Sequence, residues 1–256
     1  MKYNIAFSSS GARFAAHIGV LAYLQDNDIE IKNFSGTSGG AVVACWGANN
    51  LHARELMDLT LSFGYPQYLI KPSFLGSILD HSLFGKMIAS YCKPKNNLWI
   101  ATFNILKMQK EIWNGENINL SKVLVATTSI PGLFKPVVYS NGVHIDGIFA
   151  RFCPDDIWNE GTTISVQLRS HIKTTCRYPF DNIMHSIEKA TIDFLEGTQK
   201  NQSSKEDIIY IQPDVSSIAQ TDLFSVEPKD HIELFNKGYE KAKQIVQNSM
   251  LPVLSN

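Results

Sequence analysis

A serine in a glycine-rich turn is the first feature of this sequence that could do chemistry. Ser38 lies in the pattern G-x-S-x-G, between Gly36 and Gly40. A β-prone segment, Ile29 to Phe34, precedes the turn, and a run of small apolar residues, Ala41 to Trp46, follows it. A strand, a sharp turn that carries serine and a helix together form a nucleophile elbow. The pattern therefore predicts that Ser38 is a nucleophile, and an ordinary glycine turn is the alternative.

A serine hydroxyl becomes a good nucleophile only when a base removes its proton and nearby donors stabilise the oxyanion. Two late histidines, His185 and His231, do not follow strands as a triad histidine would, and we expect both at the surface. Asp146 ends a predicted strand, precedes Gly147 and would lie at the same sheet edge as Ser38. An Asp-Gly pair by itself indicates only a turn, so the residues alone leave the base open.

The elements around these residues alternate between strand and helix. Lys2 to Phe7 is predicted as a strand, Ser8 to Arg13 as a loop and Phe14 to Gln25 as a helix, and the chain then enters the strand before Ser38. This order predicts a parallel sheet with helices on both faces. Because sites in such sheets form at the carboxyl ends of the strands, we expect the Ser8–Arg13 loop to lie beside Ser38.

The rest of the chain continues the mixed pattern with no internal repeat or linker, so one domain over residues 1–256 is expected. The aromatic stretch from Tyr65 to Leu75 is a candidate lid, acyl-chain pocket or membrane contact, and a loop folded onto the core is the alternative. Further helices are predicted over His52–Phe63, Ser82–Tyr91, Ser121–Ser129, Asn182–Leu195 and Lys229–Ser249, and strands over Leu98–Ile105, Lys110–Trp113, Pro136–Tyr139, Val143–Ile145, Thr163–Leu168 and Ile208–Ile211.

Composition excludes several classes of protein. The net charge of −1 gives no electrostatic support for a nucleic-acid partner. Cys45, Cys92, Cys153 and Cys176 are scattered, so neither a zinc site nor a disulfide framework is expected, and no metal or cofactor is predicted. No signal peptide or apolar run of transmembrane length is evident. We therefore expect a soluble, cytoplasmic protein.

Four blocks of the sequence resemble the patatin-like phospholipases. Phe7–Leu21 is similar to the family's G-G-G-x-R-G loop and the A-H-I-G-V-L helix that follows it, and Gly36–Gly40 is similar to its G-x-S-x-G. Ser129–Val137 is similar to S-x-P-x-x-F-x-P, and Asp146-Gly147 with Pro154 is similar to D-G-G or D-G-A followed by a proline. They occur in family order within about residues 1–168, roughly two-thirds of the chain.

The resemblance implies a three-layer α/β/α fold with a mostly parallel sheet and a Ser-Asp dyad. Ser38 would be the nucleophile and Asp146 its base. Backbone N–H groups of the loop Gly11, Ala12 and Arg13 would form the oxyanion hole. The implied reaction is attack of Ser38 on a fatty-acyl ester of a phospholipid or related lipid, followed by hydrolysis of an acyl-enzyme by water, with no metal or cofactor.

The sequence departs from the family pattern near this site. Ser9 and Ser10 replace loop glycines, Phe14 replaces the glycine that ends the loop, and Ile148 and Phe152 replace a small residue and an asparagine after Asp146. A positive φ at Ser9 or Ser10 would be costly. These changes motivate the alternative of a catalytically weak or inactive lipid-binding or scaffold protein. Transfer of the acyl group to an alcohol is a third possibility.

Overall fold

The computed structural model describes residues 2–63, 71–72, 79–169, 207–218 and 226–249. Within these residues ten strands and six α-helices alternate in the order that the sequence predicts for an α/β protein. The strands are β1 Tyr3–Phe7, β2 Ile31–Thr37, β3 Lys71–Pro72, β4 Leu79–Asp80, β5 Leu98–Asn104, β6 Gln109–Asn114, β7 Val137–Tyr139, β8 Gly142–Ile145, β9 Thr163–Val166 and β10 Ile208–Ile211, and the helices are α1 Phe14–Asp26, α2 Gly39–Ala48, α3 Ala53–Phe63, α4 Ser82–Tyr91, α5 Leu120–Thr127 and α6 Pro228–Ser249.

Eight of these strands form one mixed sheet in the order β10-β9-β1-β2-β5-β8-β7, with β6 paired to β5. The five strands from β10 to β5 run parallel, and β6, β7 and β8 are antiparallel to their partners. The chain leaves β1 for β2 on one side and later returns to place β9 on the other side. The loop after β1 therefore lies where the strand order reverses, which is where open α/β sheets bind their ligands.

Strand β2 precedes Ser38 and strand β8 precedes Asp146, and the ends of these two strands face each other beside β5. Strand β2 pairs with the first half of β5, up to Thr37 opposite Ala101. Antiparallel β8 pairs with the second half, and its last residue Ile145 lies opposite Phe103. Because β8 runs towards the end of β2, the residues that follow the two strands meet beside Thr102. This is the location of Ser38 and Asp146.

Side chains of β1 alternate between two cores, as the period of a strand requires. Tyr3, Ile5 and Phe7 belong to the large core formed with the helices, whereas Ala6 packs on the opposite face with a smaller cluster that includes Ile148. Helix α1 is buried over Ala15–Leu24 because it is covered on several sides by other helices. The sheet is thus covered on both faces next to the loop that follows β1.

Helices α1 and α6 approach each other more closely than side chains would normally permit. A Cβ on Gly19 would lie 2.0 Å from the Phe235 carbonyl oxygen, and a Cβ on Gly238 would lie 2.0 Å from the Ala16 carbonyl oxygen. The missing side chain of each glycine therefore leaves room for the backbone of the other helix. This contact fixes the C-terminal helix against the helix that follows the Ser8–Arg13 loop.

The α/β class and the mostly parallel sheet are confirmed. Most element boundaries agree to within two or three residues, but β2 continues to Thr37 rather than ending at Phe34. The predicted helix Asn182–Leu195 lies outside the described residues, and so does the Tyr65–Leu75 stretch except for Lys71–Pro72. In the part of the chain covered by the structure, no helix combines the length and the apolar character needed to cross a bilayer.

Candidate active site

Ser38 lies on a strained turn between β2 and α2. Its backbone has φ 54° and ψ −127°, a conformation that side chains with a Cβ rarely adopt. The flanking glycines make the turn possible: a Cβ on Gly36 would lie 2.5 Å from the Ala41 Cα, and one on Gly40 would lie 2.3 Å from the Ser8 carbonyl oxygen. These are the features of a nucleophile elbow, which holds the serine oxygen above the sheet at the start of a helix.

The Ser38 hydroxyl is hydrogen-bonded to Asp146. Ser38 Oγ donates to Asp146 Oδ2 at 2.9 Å, and the Ile148 N–H donates to Asp146 Oδ1 at 2.8 Å. The Asp146 N–H donates to the Ser129 carbonyl oxygen at 2.9 Å. Each carboxylate oxygen therefore has one donor, and the aspartate backbone is fixed by the Ser-x-Pro block. Two residues 108 positions apart in the sequence are in direct contact.

Burial controls the ionisation of Asp146. The residue is 1% exposed, and loss of hydration raises the pKa of its carboxyl from 3.8 to about 7, against the hydrogen bonds from Ile148 and Ser38, which favour the charged form. A carboxyl that titrates near neutral pH can accept a proton and return it with similar ease. This is the property required of a general base that later acts as an acid.

Thr127 connects the elbow to the neighbouring strand. Its hydroxyl accepts from the Ser38 N–H at 2.9 Å and donates to the Ala101 carbonyl oxygen at 2.6 Å. Gly147 packs at the same point, because a Cβ there would lie 2.2 Å from that carbonyl oxygen. Thr127 was not predicted from the sequence, because a single threonine two residues before the Ser-x-Pro block carries no signal of its own.

The loop after β1 holds its one left-handed residue at a glycine. Gly11 has φ 50°, whereas Ser10 has φ −140°, and Ser9 is not among the residues with positive φ. The strain that a positive φ would cause at Ser9 or Ser10 is therefore absent. From Gly11 to Arg13 the loop forms one 3₁₀ turn that leads directly into α1.

Several backbone N–H groups at this sheet edge are available to a ligand. Those of Gly11, Ala12 and Gly39 donate to no acceptor among the described residues. The Arg13 N–H is used within the loop, since it donates to the Ser10 carbonyl oxygen at 3.0 Å. Gly39 follows the nucleophile directly and was not predicted as a donor, although the elbow pattern itself contains this signal.

The Ser10 hydroxyl lies beside Gly39. A Cβ on Gly39 would be 2.3 Å from Ser10 Oγ and 3.2 Å from the Phe14 Cβ, so the loop and the elbow are in close contact. Ser10 is fully buried, and its hydroxyl has no hydrogen-bond partner within the described part of the chain. A buried hydroxyl in this state carries a desolvation cost that nothing in the described protein offsets.

His17 and Arg13 position the loop from outside the site. His17 Nε2 donates to the Ser8 carbonyl oxygen at 2.9 Å, and burial lowers its pKa to about 3, so the ring is neutral. The Arg13 side chain is buried, and its Nε donates to the Ile218 carbonyl oxygen at 2.6 Å. The His17 contact was missed by the sequence analysis, which used this histidine only as part of a motif.

The remaining departures from the family pattern lie around the site. Ile148 and Phe152 are buried in the smaller cluster against Ala6. His231 is also buried, with its ring 5.9 Å from that of Phe14, so its predicted surface position is wrong. His231 lies in the first turn of α6, where the helix packs near Phe14 at the end of the loop. His185 lies outside the described residues.

The described residues contain no cluster of metal-binding side chains. Groups of three or more His, Cys, Asp or Glu side chains with metal-binding geometry are not found among them. The three described cysteines, Cys45, Cys92 and Cys153, are free and buried. The groups that the structure brings together at this edge are a serine hydroxyl, a carboxyl group and backbone amides.

Two solved structures of other proteins share the fold of this chain. The chain superposes on VipD from Legionella pneumophila with a TM-score of 0.65 at 12% identity, covering 96% of this chain and 67% of VipD. It superposes on the type III effector protein ExoU with a TM-score of 0.52 at 12% identity, covering 96% of this chain and 53% of ExoU. At this level of identity the two structures show a shared fold only.

A family model supplies the stronger match. The model of the patatin-like phospholipases matches residues 5–156, which is more than half of the chain and includes Ser38, Asp146 and the Gly11–Arg13 loop. The fold, the elbow and the sequence match therefore agree. The chain belongs to the patatin-like phospholipase family.

Proposed function

We propose that this protein is a serine acyl hydrolase that cleaves fatty-acyl ester bonds of phospholipids or related lipids through Ser38 and Asp146. The observation that carries the proposal is the 2.9 Å hydrogen bond from Ser38 Oγ to Asp146 Oδ2 on an elbow with positive φ. Family membership supports a lipid substrate. The dyad and the acyl-enzyme are our assignment from the geometry.

In the first step, Asp146 Oδ2 accepts the hydroxyl proton as Ser38 Oγ bonds to the ester carbonyl carbon. The carbonyl oxygen becomes an oxyanion. When the tetrahedral intermediate collapses, the C–O bond to the alcohol breaks and Asp146 returns the proton to the leaving oxygen. The products of this half-reaction are a free alcohol and an acyl-Ser38 ester.

The N–H groups of Gly11, Ala12 and Gly39 are assigned to the oxyanion, because they donate to no acceptor among the described residues and lie on the loop and at the start of α2. We add the Ser10 hydroxyl, which is buried beside Gly39 and has no other partner in the described chain. Arg13 is assigned a positioning role through its bonds to Ser10 and Ile218. The positive end of the α2 dipole favours the same negative charge.

In the second step, Asp146 takes a proton from water, the water oxygen bonds to the acyl carbon, and the ester bond to Ser38 breaks. The proton returns to Ser38 Oγ, and a fatty acid leaves. No metal enters the scheme. A buried carboxyl that titrates near neutral pH serves both half-reactions, because it is ionised often enough to act as a base and gives its proton back readily.

A fluorophosphonate probe tests the nucleophile. We expect the wild-type protein to be labelled and Ser38→Ala to be unlabelled. Ser35→Ala is the matched control, because this serine lies on the strand that leads to Ser38 and its hydroxyl donates to the Pro154 carbonyl oxygen instead. It should retain the label. An unlabelled wild-type protein that is folded would contradict the proposal.

A phospholipid with acyl chains labelled by position tests the reaction. Release of a labelled fatty acid identifies the ester that is cleaved. Lipid binding without release would favour the non-catalytic alternative, which the substitutions at Ser9, Ser10, Phe14 and Ile148 suggested. Appearance of a new ester when an alcohol is added would identify acyl transfer instead of hydrolysis.

A further inference from the structure

Exposed apolar side chains concentrate at one corner of the sheet. The residues that the structure describes include seven exposed large hydrophobic side chains, and four of them are Ile105, Leu106, Met108 and Val138. Leu106 is 69% exposed, Met108 73% and Val138 71%. Three belong to the turn between β5 and β6, and the fourth lies on β7. We call these four residues the hairpin patch.

The hairpin patch is continuous across the strands. The Ile105 N–H donates to the Val143 carbonyl oxygen at 2.9 Å, and Val143 is paired with Val138 across β7 and β8. Paired residues on neighbouring antiparallel strands project to the same face. Ile105, Val143 and Val138 therefore form a row, and Leu106 and Met108 extend it at the tip of the hairpin.

The patch projects from the edge that carries the catalytic residues. Strand β5 runs parallel to β2, and Thr37 lies opposite Ala101, so the level of Ser38 corresponds to Thr102. Asn104, the last residue of β5, comes two residues later, which is roughly 7 Å beyond that level at the rise of a β-strand, and the turn that carries Leu106 follows it. A surface that touches the hairpin tip consequently faces the sheet edge that contains Ser38.

Charge on the hairpin favours a negative surface. Lys107 and Lys110 are both exposed beside the apolar tip. Glu111 is the acidic residue of this hairpin; it accepts from Asn104 Nδ2 at 2.9 Å, lies 3.5 Å from His144 Nδ1 and forms an ion pair with Lys107 Nζ at 3.8 Å. Two lysines against one glutamate leave the hairpin with a net positive charge, whereas the whole chain carries a net charge of −1.

We propose that the hairpin patch docks the protein on an anionic lipid membrane. Leu106 and Met108 enter the acyl layer, while Lys107 and Lys110 remain among the headgroup phosphates. The convex tip combines aliphatic side chains with ammonium groups, which suits a bilayer interface. Docking in this way presents the Ser38 edge to the membrane. The reason for docking rests on the proposed function, because a lipid hydrolase needs access to its substrate. Vesicle binding can be measured independently of that function.

Binding is measured with the full-length Ser38→Ala protein, so that vesicles stay intact. Sedimentation uses vesicles of phosphatidylcholine with and without phosphatidylglycerol. We expect Leu106→Asp with Met108→Asp to weaken binding about tenfold or more. Asp tolerates the positive φ of 50° at Met108, so the exchange should not disturb the turn. Thermal unfolding of each variant verifies the fold.

Two further variants complete the design. Lys107→Glu with Lys110→Glu should weaken binding to the vesicles that contain phosphatidylglycerol. Tyr91→Asp is the matched control, because Tyr91 is also a large exposed apolar side chain, with 49% exposure. It packs against Trp46, the eighth residue of α2, and this helix leads away from Ser38. It should bind as well as its parent.

The proposal is overturned if the parent protein does not sediment with anionic vesicles. It is also overturned if the folded tip variants bind like the parent, or if Tyr91→Asp weakens binding equally. Unchanged vesicle binding together with a changed monomer–dimer equilibrium would assign the patch to a second copy of the chain. Labelling by fluorophosphonate is independent of all these results, so failure of docking and failure of the proposed catalysis are distinguishable.

Discussion

The substitution Asp146→Asn separates the catalytic role of this carboxyl from its effect on stability. The Asn side chain has nearly the same shape and can still accept from the Ile148 N–H, but it does not titrate. Its amide N–H₂ would face Ser38 Oγ as a donor and could not remove the hydroxyl proton. We expect turnover to fall by about 10²- to 10⁴-fold, which is the usual contribution of a general base.

The stability change follows from the pKa of the carboxyl. Burial raises the pKa of Asp146 from 3.8 to about 7, and three units of pKa correspond to about 4 kcal/mol. Because the folded-state value is the higher one, the stabilisation by the bound proton is complete below the unfolded-state pKa of 3.8. It is lost as the pH rises through about 7. The wild-type protein therefore carries a buried charge at high pH that the Asn variant lacks.

Urea unfolding of both proteins at about pH 5 and about pH 8 measures this difference. Between these two values the Asn variant should gain about 3 kcal/mol in free energy of unfolding relative to wild type. The control is Asp214→Asn, because hydrogen bonds from Ser216 hold the pKa of Asp214 below 3.8. This carboxyl is ionised in both the folded and the unfolded state at about pH 5 and at about pH 8, so its variant should show almost no such change. The kcat/KM of wild type should rise through about pH 7.

Identical pH dependence of stability in wild type and Asp146→Asn would refute this reasoning, because a raised carboxyl pKa requires a difference. Retained turnover in the Asn variant would separately refute the role of Asp146 as base. A flat kcat/KM profile across neutral pH would show that no group with this pKa limits the reaction. The three measurements test the electrostatic account and the chemical account independently.

Three further predictions concern the elbow and the loop. Ser38→Gly should be about 1 kcal/mol more stable than Ser38→Ala in urea unfolding, because glycine accepts the φ of 54° without strain; equal stabilities would argue against a strained elbow. Gly40→Ala should lose about 3 kcal/mol or more, since its Cβ would lie 2.3 Å from the Ser8 carbonyl oxygen. Gly132→Ala, where a Cβ meets no atom within 4 Å but φ is 81°, should lose only about 1 kcal/mol and serves as its control. Ser10→Ala should gain about 1 kcal/mol in stability by removing a buried hydroxyl and should lower kcat roughly 10- to 100-fold if that hydroxyl binds the oxyanion; a gain in stability with unchanged kcat would remove Ser10 from the site.

The local part of the site could be predicted from the sequence because its signals are local. Gly36, Ser38 and Gly40 define the elbow within five residues, and the family blocks identify Asp146 without any knowledge of its neighbours. The end of β2 was harder to predict. Ser35, Gly36 and Thr37 have the composition of a loop, yet Ser35 and Gly36 pair with both β1 and β5 and Thr37 pairs with β5, and this pairing keeps them extended.

Long-range contacts were not predictable from composition or periodicity. The sequence indicates that Asp146 follows a strand, but it does not show that β8 is antiparallel and ends against β2. Helix α1 is apolar on every side, so no pattern identifies Gly19 as the contact for α6. His231 has polar neighbours in the sequence and was therefore placed at the surface, although packing of α6 near Phe14 buries it.

The contact between α1 and α6 has a consequence for the order in which the site is completed during synthesis. Ser38 and Asp146 leave the ribosome early, because translation proceeds from the N-terminus. The oxyanion loop is held by Arg13 through the Ile218 carbonyl oxygen, and the helix behind it is held by α6 through Gly19 and Gly238. A nascent chain that ends before these residues contains both members of the dyad but lacks the support of the loop. The proposed hydrolytic activity should therefore begin only after α6 has emerged.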